Sequence, residues 1–227
     1  MPGFILHLTA AKILLDKYSL PVDENAFYIG NLMPDTVADK AKTHFREEKY
    51  YDRMIQSPQL QLFLDKYSTL LSDSSALGYY YHLYIDRRFF TEFCPQNFKY
   101  LNISLQDEDE QKNVMWAQVF KTGEIVPVDR FLSEEYYYGD FTRMNTWLKE
   151  KYHLSFDLDS RVKNPGIEEV IYPDIEKILR QLKSYEAVRA DEAENLKVFH
   201  LEEVIAFLEN AAAEWYGRNL RYVDERK

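Results

Sequence analysis

The stretch Leu77-Gly78-Tyr79-Tyr80-Tyr81-His82-Leu83-Tyr84-Ile85-Asp86 decides how this chain is organised. Apolar and aromatic residues dominate it, and helix start and stop signals flank it, so it predicts a long buried helix. His82 and Asp86 are four residues apart, and a helix therefore places both side chains on one face. An imidazole nitrogen and a carboxylate oxygen in this arrangement can bind the same cation.

Three residues upstream add further metal-binding side chains. They are His7 in the first helical stretch, Asp35 at the end of Asn31-Leu32-Met33-Pro34-Asp35, and His44 before Phe45. With the pair on the central helix they form a set of three histidines and two aspartates. Zinc prefers such a set of nitrogen and oxygen donors, and no thiolate is present in it. The sequence therefore predicts a metal site built from separate segments.

The order of these pieces resembles the zinc-dependent phospholipase C family, which shares an all-helical superfold with a group of zinc-dependent single-strand nucleases. The family order is an early helical His, a Gly-x-x-x-Pro-Asp segment, a His-Phe pair and a Gly-Tyr-x-x-His-x-x-x-Asp helix. In this chain the corresponding pieces are His7, Gly30 to Asp35, His44-Phe45, and Gly78-Tyr79 followed by His82 and Asp86. The resemblance covers the N-terminal part of the chain as far as the central helix.

The resemblance implies an all-α fold, a single helical bundle of the phospholipase C type over residues 1–227. It implies a zinc-dependent hydrolase that cleaves a phosphate ester or phosphodiester with metal-activated water, and a small-molecule or lipid phosphoester as the substrate. One or two Zn²⁺ ions are the implied cofactor. Asp86 then bridges two ions and His7 binds the second one. The implied metal ligands are His7, Asp35, His44, His82 and Asp86.

Two further roles follow from side-chain chemistry. Asp35 is the candidate catalytic residue, because a metal-bound carboxylate keeps an oxygen with which it can orient or deprotonate water. Arg87 and Arg88 are candidates for binding the substrate phosphate, since a guanidinium makes bidentate contacts with phosphate oxygens. Both arginines are equally able to pair with nearby acidic residues.

The chain departs from the three-zinc members of the family after the central helix. Residues 87–152 contain no histidine, so a third zinc site is either lost or rebuilt from distant residues. The candidates for rebuilding it are Asp140, His153, His200 and Glu203. For each of them a surface or helix-capping role is the favoured interpretation.

Two other classes of protein remain open. The first is a metal phosphohydrolase of the His-Asp type, which also gathers histidine and aspartate ligands from several helices. Its adjacent His-Asp dipeptide is missing from this chain. The second is a non-catalytic protein in which zinc ties the first helix, the Asp35 segment and the central helix together.

Composition limits the remaining choices. The chain has 227 residues, 46% of them hydrophobic, which suits one domain with a substantial core. Its formal net charge of −10 opposes general binding to nucleic-acid phosphates. Cys94 is the single cysteine, so there is no internal disulfide and no cysteine metal site. With neither a signal peptide nor a membrane span recognisable, the sequence predicts a cytoplasmic protein.

Hydrophobic spacing predicts helices along the whole chain and no sheet. Asp107-Glu108-Asp109-Glu110 is interpreted as the acidic first turn of a helix that continues to Phe120 and ends at Gly123. Residues 31–42 are predicted to be irregular, and Val126-Pro127-Val128 is predicted to be a connection. The other predicted helices are 4–18, 26–30 with Gly30 as its C-cap, 57–71, 76–93, 136–152 with an interruption at Gly139, 173–185, and 199–216.

Overall fold

A computed structural model describes residues 3–182, 184 and 189–224, with side chains as far as residue 219. The fold of this part of the chain is mostly helical, as predicted. Its helices are α1 (Phe4–Lys17), α2 (Glu24–Leu32), α3 (Lys40–Thr43), α4 (Leu60–Tyr67), α5 (Ser74–Arg88), α6 (Cys94–Asn97), α7 (Val128–Phe131), α8 (Tyr137–Tyr152), α9 (Ile175–Leu182) and α10 (Leu201–Asp224).

A small antiparallel sheet corrects the all-α prediction. Strands β1 (Phe98–Leu101), β2 (Trp116–Val119) and β3 (Ile125–Pro127) pair in the order β1-β2-β3. The predicted helix after Asp107 is therefore wrong, and the predicted connection at Val126-Pro127 belongs to β3.

The reason for this error lies in the length of β2. Ala117 and Val119 are buried while Trp116 and Gln118 are half-buried, so the alternation expected of a strand is present but lasts only four residues. Gly123, interpreted as a helix end, has a φ of +75° in the turn between β2 and β3. A positive φ at glycine is as typical of a hairpin as of a helix terminus.

Of the predicted helices, the central one agrees most closely with the structure, where it is α5. Asp73 caps it by accepting hydrogen bonds from the backbone N–H groups of Ser75 and Ala76. Residues 75–86 are buried without interruption, so α5 lies at the centre of the molecule. A π-helical turn, Phe89–Phe93, continues α5.

Other boundaries differ from the predictions. Gly30 lies inside α2 and Gly139 inside α8, so neither ends nor interrupts its helix. Residues 31–42 are more regular than expected, since α2 reaches Leu32, a 3-10 turn covers Met33–Asp35, and α3 begins at Lys40. Helix α9 begins at Ile175 and is described to Leu182, and Tyr185, the predicted end of that helix, lies outside the described residues. Helix α10 runs past the predicted end to Asp224, with a non-helical Asn219.

One hydrophobic cluster joins these elements. It contains buried residues of α1, α2, α5, α8, α10 and the sheet. Helix α5 packs on α1, α2, α4 and α10. No helix in the described ranges combines the length and the apolar character that crossing a bilayer requires.

Candidate metal centre

The structure brings the five predicted ligand residues together at the centre of the fold. His7 comes from α1, Asp35 from the 3-10 turn after α2, His44 from the C-terminal end of α3, and His82 and Asp86 from α5. All five side chains are buried, and that of Asp35 is the most exposed, at 7% for the residue.

Asp86 lies between the histidines. Its Oδ1 is 3.2 Å from Nε2 of His7, and its Oδ2 is 3.3 Å from Nε2 of His44. Each carboxylate oxygen thus faces a different imidazole, which is the arrangement of a carboxylate that bridges two ions. Asp35 approaches from the other side, with Oδ1 3.6 Å from Nε2 of His44.

The hydrogen bonds of His44 and His82 fix where their hydrogens lie. Nδ1 of His82 is 2.7 Å from the carbonyl oxygen of Asn31, and Nδ1 of His44 is 2.9 Å from that of Lys40. A carbonyl oxygen only accepts, so each Nδ1 carries the hydrogen, and Nε2 of a neutral ring has only a lone pair. The two Nε2 atoms nevertheless lie 3.1 Å apart. Two lone pairs at this distance repel each other unless a proton or a metal ion lies between them.

Polar atoms of His7 and Asp86 also lack partners. Both ring nitrogens of His7 and both carboxylate oxygens of Asp86 are buried without a hydrogen bond of suitable geometry in the described part of the chain. A buried polar group without a partner costs about 1–3 kcal/mol. A cation bound in the cluster would supply a partner to these atoms.

Burial and neighbouring charges shift the pKa values of Asp86 and His82. Burial raises the pKa of Asp86, but the contacts with His44 and His7 outweigh it and hold this pKa well below the ordinary value. Burial, together with the charge of His7, lowers the pKa of His82 well below its ordinary value. Asp86 is thus a carboxylate and His82 a neutral imidazole at neutral pH.

Two overlapping groups of donor atoms have the spacing of a metal site. The donors of His7, Asp35 and His82 lie within 4.8 Å of one another, and so do those of His44, His82 and Asp86. Nε2 of His82 binds only one ion, since its Nδ1 is occupied by Asn31. The donor set fits one zinc ion, or two ions with Asp86 between them.

Neighbouring tyrosines attach the surrounding helices to α5. The Tyr79 hydroxyl donates to the carbonyl oxygen of Thr43, which precedes His44, at 2.7 Å. The Tyr81 hydroxyl donates to the carbonyl oxygen of Ala10 on α1 at 3.1 Å. These bonds hold α3 and α1, and with them two of the ligand histidines, at a fixed distance from His82.

Two basic residues that the sequence analysis missed lie at the cluster. Nζ of Lys40 is 2.7 Å from Oδ1 of Asp35. Burial lowers the pKa of Arg46, and the negative charges of Asp86 and Asp35 oppose this effect, so the guanidinium lies within the field of both carboxylates. The sequence gives one indication of this role, which is proximity along the chain: Lys40 follows Asp35 by five residues, and Arg46 follows His44 by two.

The turn after His44 explains the position of Arg46. Phe45 has a φ of +51°, and the N–H groups of Phe45 and Arg46 donate to the carbonyl oxygens of Lys42 and Ala41. This is a Schellman motif with phenylalanine at the position that usually holds glycine. It reverses the chain at the end of α3, so that Arg46 returns towards the metal ligands.

The predicted phosphate-binding arginines have other partners. Arg87 donates to the carbonyl oxygen of Pro58 at 3.2 Å. Arg88 forms ion pairs with Glu92 and Glu214, each at 2.6 Å. In the described ranges, no hydrogen bond or ion pair joins either arginine to the five ligand residues.

The candidates for a rebuilt third site lie apart from the cluster. His153, His200 and Glu203 are exposed, and His153 ends α8 in a left-handed conformation. Asp140 is buried and accepts hydrogen bonds from the backbone N–H groups of residues 197–199 at 2.7–3.0 Å. Its carboxylate is therefore occupied in joining α8 to the segment before α10.

Comparisons with protein-family models, with curated proteins and with solved structures find no match.

Proposed function

We propose that this protein is a zinc-dependent, phospholipase C-like hydrolase of a phosphate ester or phosphodiester. The observation that carries the proposal is the 3.1 Å separation of the Nε2 atoms of His44 and His82, whose Nδ1 atoms each face a backbone carbonyl oxygen. The bridging position of Asp86 between His7 and His44 supports a site for two ions. The order of the sequence pieces supports the same class.

Bound zinc would polarise a phosphoryl oxygen and lower the pKa of a water molecule towards neutrality. The residues of the chain supply the remaining functions. Asp35 is the least buried of the ligand carboxylates, and its free oxygen orients the attacking water and accepts its proton. Lys40 and Arg46 bind the phosphoryl oxygens, replacing Arg87 and Arg88 in this role.

One observation favours the non-catalytic alternative. His7, His44, His82 and Asp86 have no measurable exposure. A closed shell of protein ligands without solvent access is typical of structural zinc sites. In this alternative zinc stabilises the packing of α1, α3 and α5, and the protein does not turn over a substrate.

The first experiment is metal analysis of the untagged protein by mass spectrometry, after purification without chelators. We expect one or two zinc ions per chain. The double variant His82→Ala, Asp86→Ala is expected to contain none, and the control His200→Ala, which removes an exposed histidine, is expected to keep the full content. Absence of zinc even after its addition would overturn both alternatives.

Hydrolysis assays then separate the two alternatives. The zinc-loaded protein is tested on soluble phosphomonoesters, on soluble phosphodiesters and on phosphatidylcholine vesicles. The hydrolase proposal predicts turnover that disappears in Asp35→Asn, with a loss of about 10²–10⁴-fold for a general base. Stoichiometric zinc with no turnover on any of the three classes would favour the structural role.

A further inference from the structure

A cavity of about 320 Å³ adjoins Phe90 in the π-helical turn that follows α5. Its walls include Met54, Phe90, Leu132, Tyr137 and Tyr138, and Gln111 is its one polar non-aromatic side chain. Concave sites of this size with mostly apolar and aromatic walls are typical of small-molecule binding. The mechanism above does not use this cavity.

The first link between the cavity and the metal centre runs along the central helix. Phe90 follows Asp86 by four residues, and the π-helical turn after α5 keeps the chain helical between them. Tyr137, also in the cavity wall, is 4% exposed. Burial chiefly raises the pKa of the Tyr137 hydroxyl; Cys94, Tyr100 and Tyr138 add to this rise, and Asp86 makes the smallest contribution. Tyr137 is therefore near enough to Asp86 for a weak electrostatic effect.

The second link runs through Arg46. Its Nη1 donates to Oε1 of Gln56 at 3.2 Å. Gln56 directly follows Met54-Ile55, which form the opposite wall. Nε2 of Gln56 donates to the carbonyl oxygens of Tyr51 and Arg53, at 2.9 and 3.0 Å, and so fixes this segment. Both walls of the cavity thus begin next to groups that face the metal centre.

We propose that this cavity binds an apolar, ring-bearing group on the alcohol part of the phosphoester substrate. The inference rests on the proposed function, because it assigns the phosphoryl group to Arg46, Lys40 and the metal ligands. The leaving alcohol then lies against Phe90 and Tyr137.

The size and lining of the cavity define the class of substrate. A volume of about 320 Å³ is roughly twice that of an apolar cavity of about 150 Å³ that binds benzene, so an aromatic ring fits with space for the atoms that link it to the phosphate. The aromatic walls favour apolar or ring-bearing groups over polar ones of the same size. We therefore expect selectivity for benzyl-like over small polar or methyl-like alcohols.

Calorimetry tests this selectivity by comparing how two non-hydrolysable probes, benzylphosphonate and methylphosphonate, bind to the zinc-loaded protein. We expect benzylphosphonate to bind at least tenfold more tightly. Met54→Trp fills the cavity and is expected to remove the preference, and Leu132→Trp on another wall provides the same test should the first variant not fold. The control Ala206→Trp adds an indole to a separate cavity lined by Arg88 and Phe207 and is expected to keep the preference.

Equal affinity of the two probes for the unmodified protein would overturn the inference. So would a preference that survives in a folded cavity-filling variant. Ligand-observed NMR then measures the binding of benzyl alcohol to the metal-free protein. This experiment distinguishes failure of the cavity inference from failure of the proposed function. If the metal-free protein binds benzyl alcohol and Met54→Trp removes this binding, the cavity is supported as a binding site. Absence of zinc would overturn the proposed function and would leave this result unchanged.

Turnover provides a second readout. Benzyl phosphate and ethyl phosphate have leaving alcohols of similar acidity, so a difference in kcat/KM reports binding of the apolar group. We expect a tenfold or larger preference for benzyl phosphate that the cavity-filling variants remove. Equal kcat/KM values for the two esters would contradict the inference while leaving the hydrolase proposal intact.

Discussion

Nδ1 of His82 lies 2.7 Å from the carbonyl oxygen of Asn31, so the backbone of helix α2 sets the orientation of this ring. The contact depends on an unusually close approach of α2 and α5. A Cβ atom on Gly78 would lie 2.1 Å from the carbonyl oxygen of Phe27, and one on Gly30 would lie 1.9 Å from that of Ser75. These glycines therefore contribute to the geometry of the metal centre without providing a ligand.

Replacing Gly78 by alanine is expected to separate the two helices. Overpacking of a close contact costs about 1–3 kcal/mol, and backbone atoms at this site cannot move aside as a side chain can. The same shift lengthens the bond between His82 and Asn31, so zinc affinity is expected to fall by about 10–100-fold, the range for lost outer-shell contacts. Urea unfolding and competitive zinc titration measure the two effects.

Gly217→Ala is the matched control for this prediction. Gly217 also lies in a helix, but a Cβ atom there would meet no atom within 4 Å. Alanine is the better helix former by about 0.5–1 kcal/mol, so this variant is expected to be slightly more stable and to bind zinc normally. If Gly78→Ala behaved like Gly217→Ala, the close approach would not be what orients His82.

Arg46, more than Arg87, is expected to determine anion binding. We expect Arg46→Gln to weaken the binding of inorganic phosphate to the zinc-loaded protein by about tenfold or more, the loss of one charge-assisted contact. Arg87→Gln is expected to have little effect on it, because Arg87 contacts the carbonyl oxygen of Pro58. Calorimetry measures the affinities.

Lys42→Gln controls for the change in net charge. Lys42 is exposed on the same short helix α3 as Lys40, and removing its charge is expected to leave phosphate affinity nearly unchanged at physiological ionic strength. A loss in Lys42→Gln equal to that in Arg46→Gln would mean that general electrostatics, and no specific contact, attracts the anion.

We expect Asp140 to contribute to the stability of the fold and not to zinc binding. Its carboxylate accepts hydrogen bonds from the N–H groups of three residues, Lys197, Val198 and Phe199, and forms an ion pair with Arg143 at 3.0 Å. Removing one partner of such a buried charged network costs about 3–5 kcal/mol. We expect Asp140→Ala to lose stability of this order in urea unfolding.

The zinc content of Asp140→Ala then decides between the two interpretations of this residue. If Asp140 only joins α8 to the segment before α10, the folded fraction keeps the zinc content of the unmodified protein. Loss of one zinc ion with an unchanged unfolding midpoint would instead make Asp140 a ligand of a rebuilt third site.

The sequence predicted which histidines and aspartates come together better than it predicted the element boundaries around them. His82 and Asp86 were identifiable because a helix of period 3.6 fixes their relative position within one element. The roles of Phe45 and Arg46 were not identifiable, because composition does not reveal a left-handed residue other than glycine. Arg46 therefore comes near the carboxylates through a chain reversal that only the structure gives.

The sheet was missed for a related reason. Strand β2 covers four residues, and Trp116, Val119 and the neighbouring Phe120 fit a helical spacing as well as a strand. The pairing that decides between them is tertiary, since Tyr100 lies opposite Ala117 on another strand. The acidic residues Asp107–Glu110 resemble a helix N-terminus by composition alone, whereas the backbone of Arg53 pairs with Glu110 outside the sheet.

Cys94, the single cysteine, is expected to report on the stability of the metal centre. It is 1% exposed, and burial raises the pKa of its thiol. Since the thiolate is the reactive form, a thiol reagent at pH 8 reaches it only through unfolding. We expect the native protein to react at least about a hundredfold more slowly than the protein in denaturant.

Zinc is expected to slow this reaction further if it binds the folded cluster. At a free concentration of 100 times its Kd, a ligand stabilises the native state by about 2.7 kcal/mol, which is about a hundredfold in the unfolded population. His82→Ala is expected to abolish the zinc effect while leaving Cys94 available to the reagent. If zinc protected Cys94 equally in His82→Ala, the metal would be acting at the thiol or elsewhere, and the assigned centre would not account for the stabilisation.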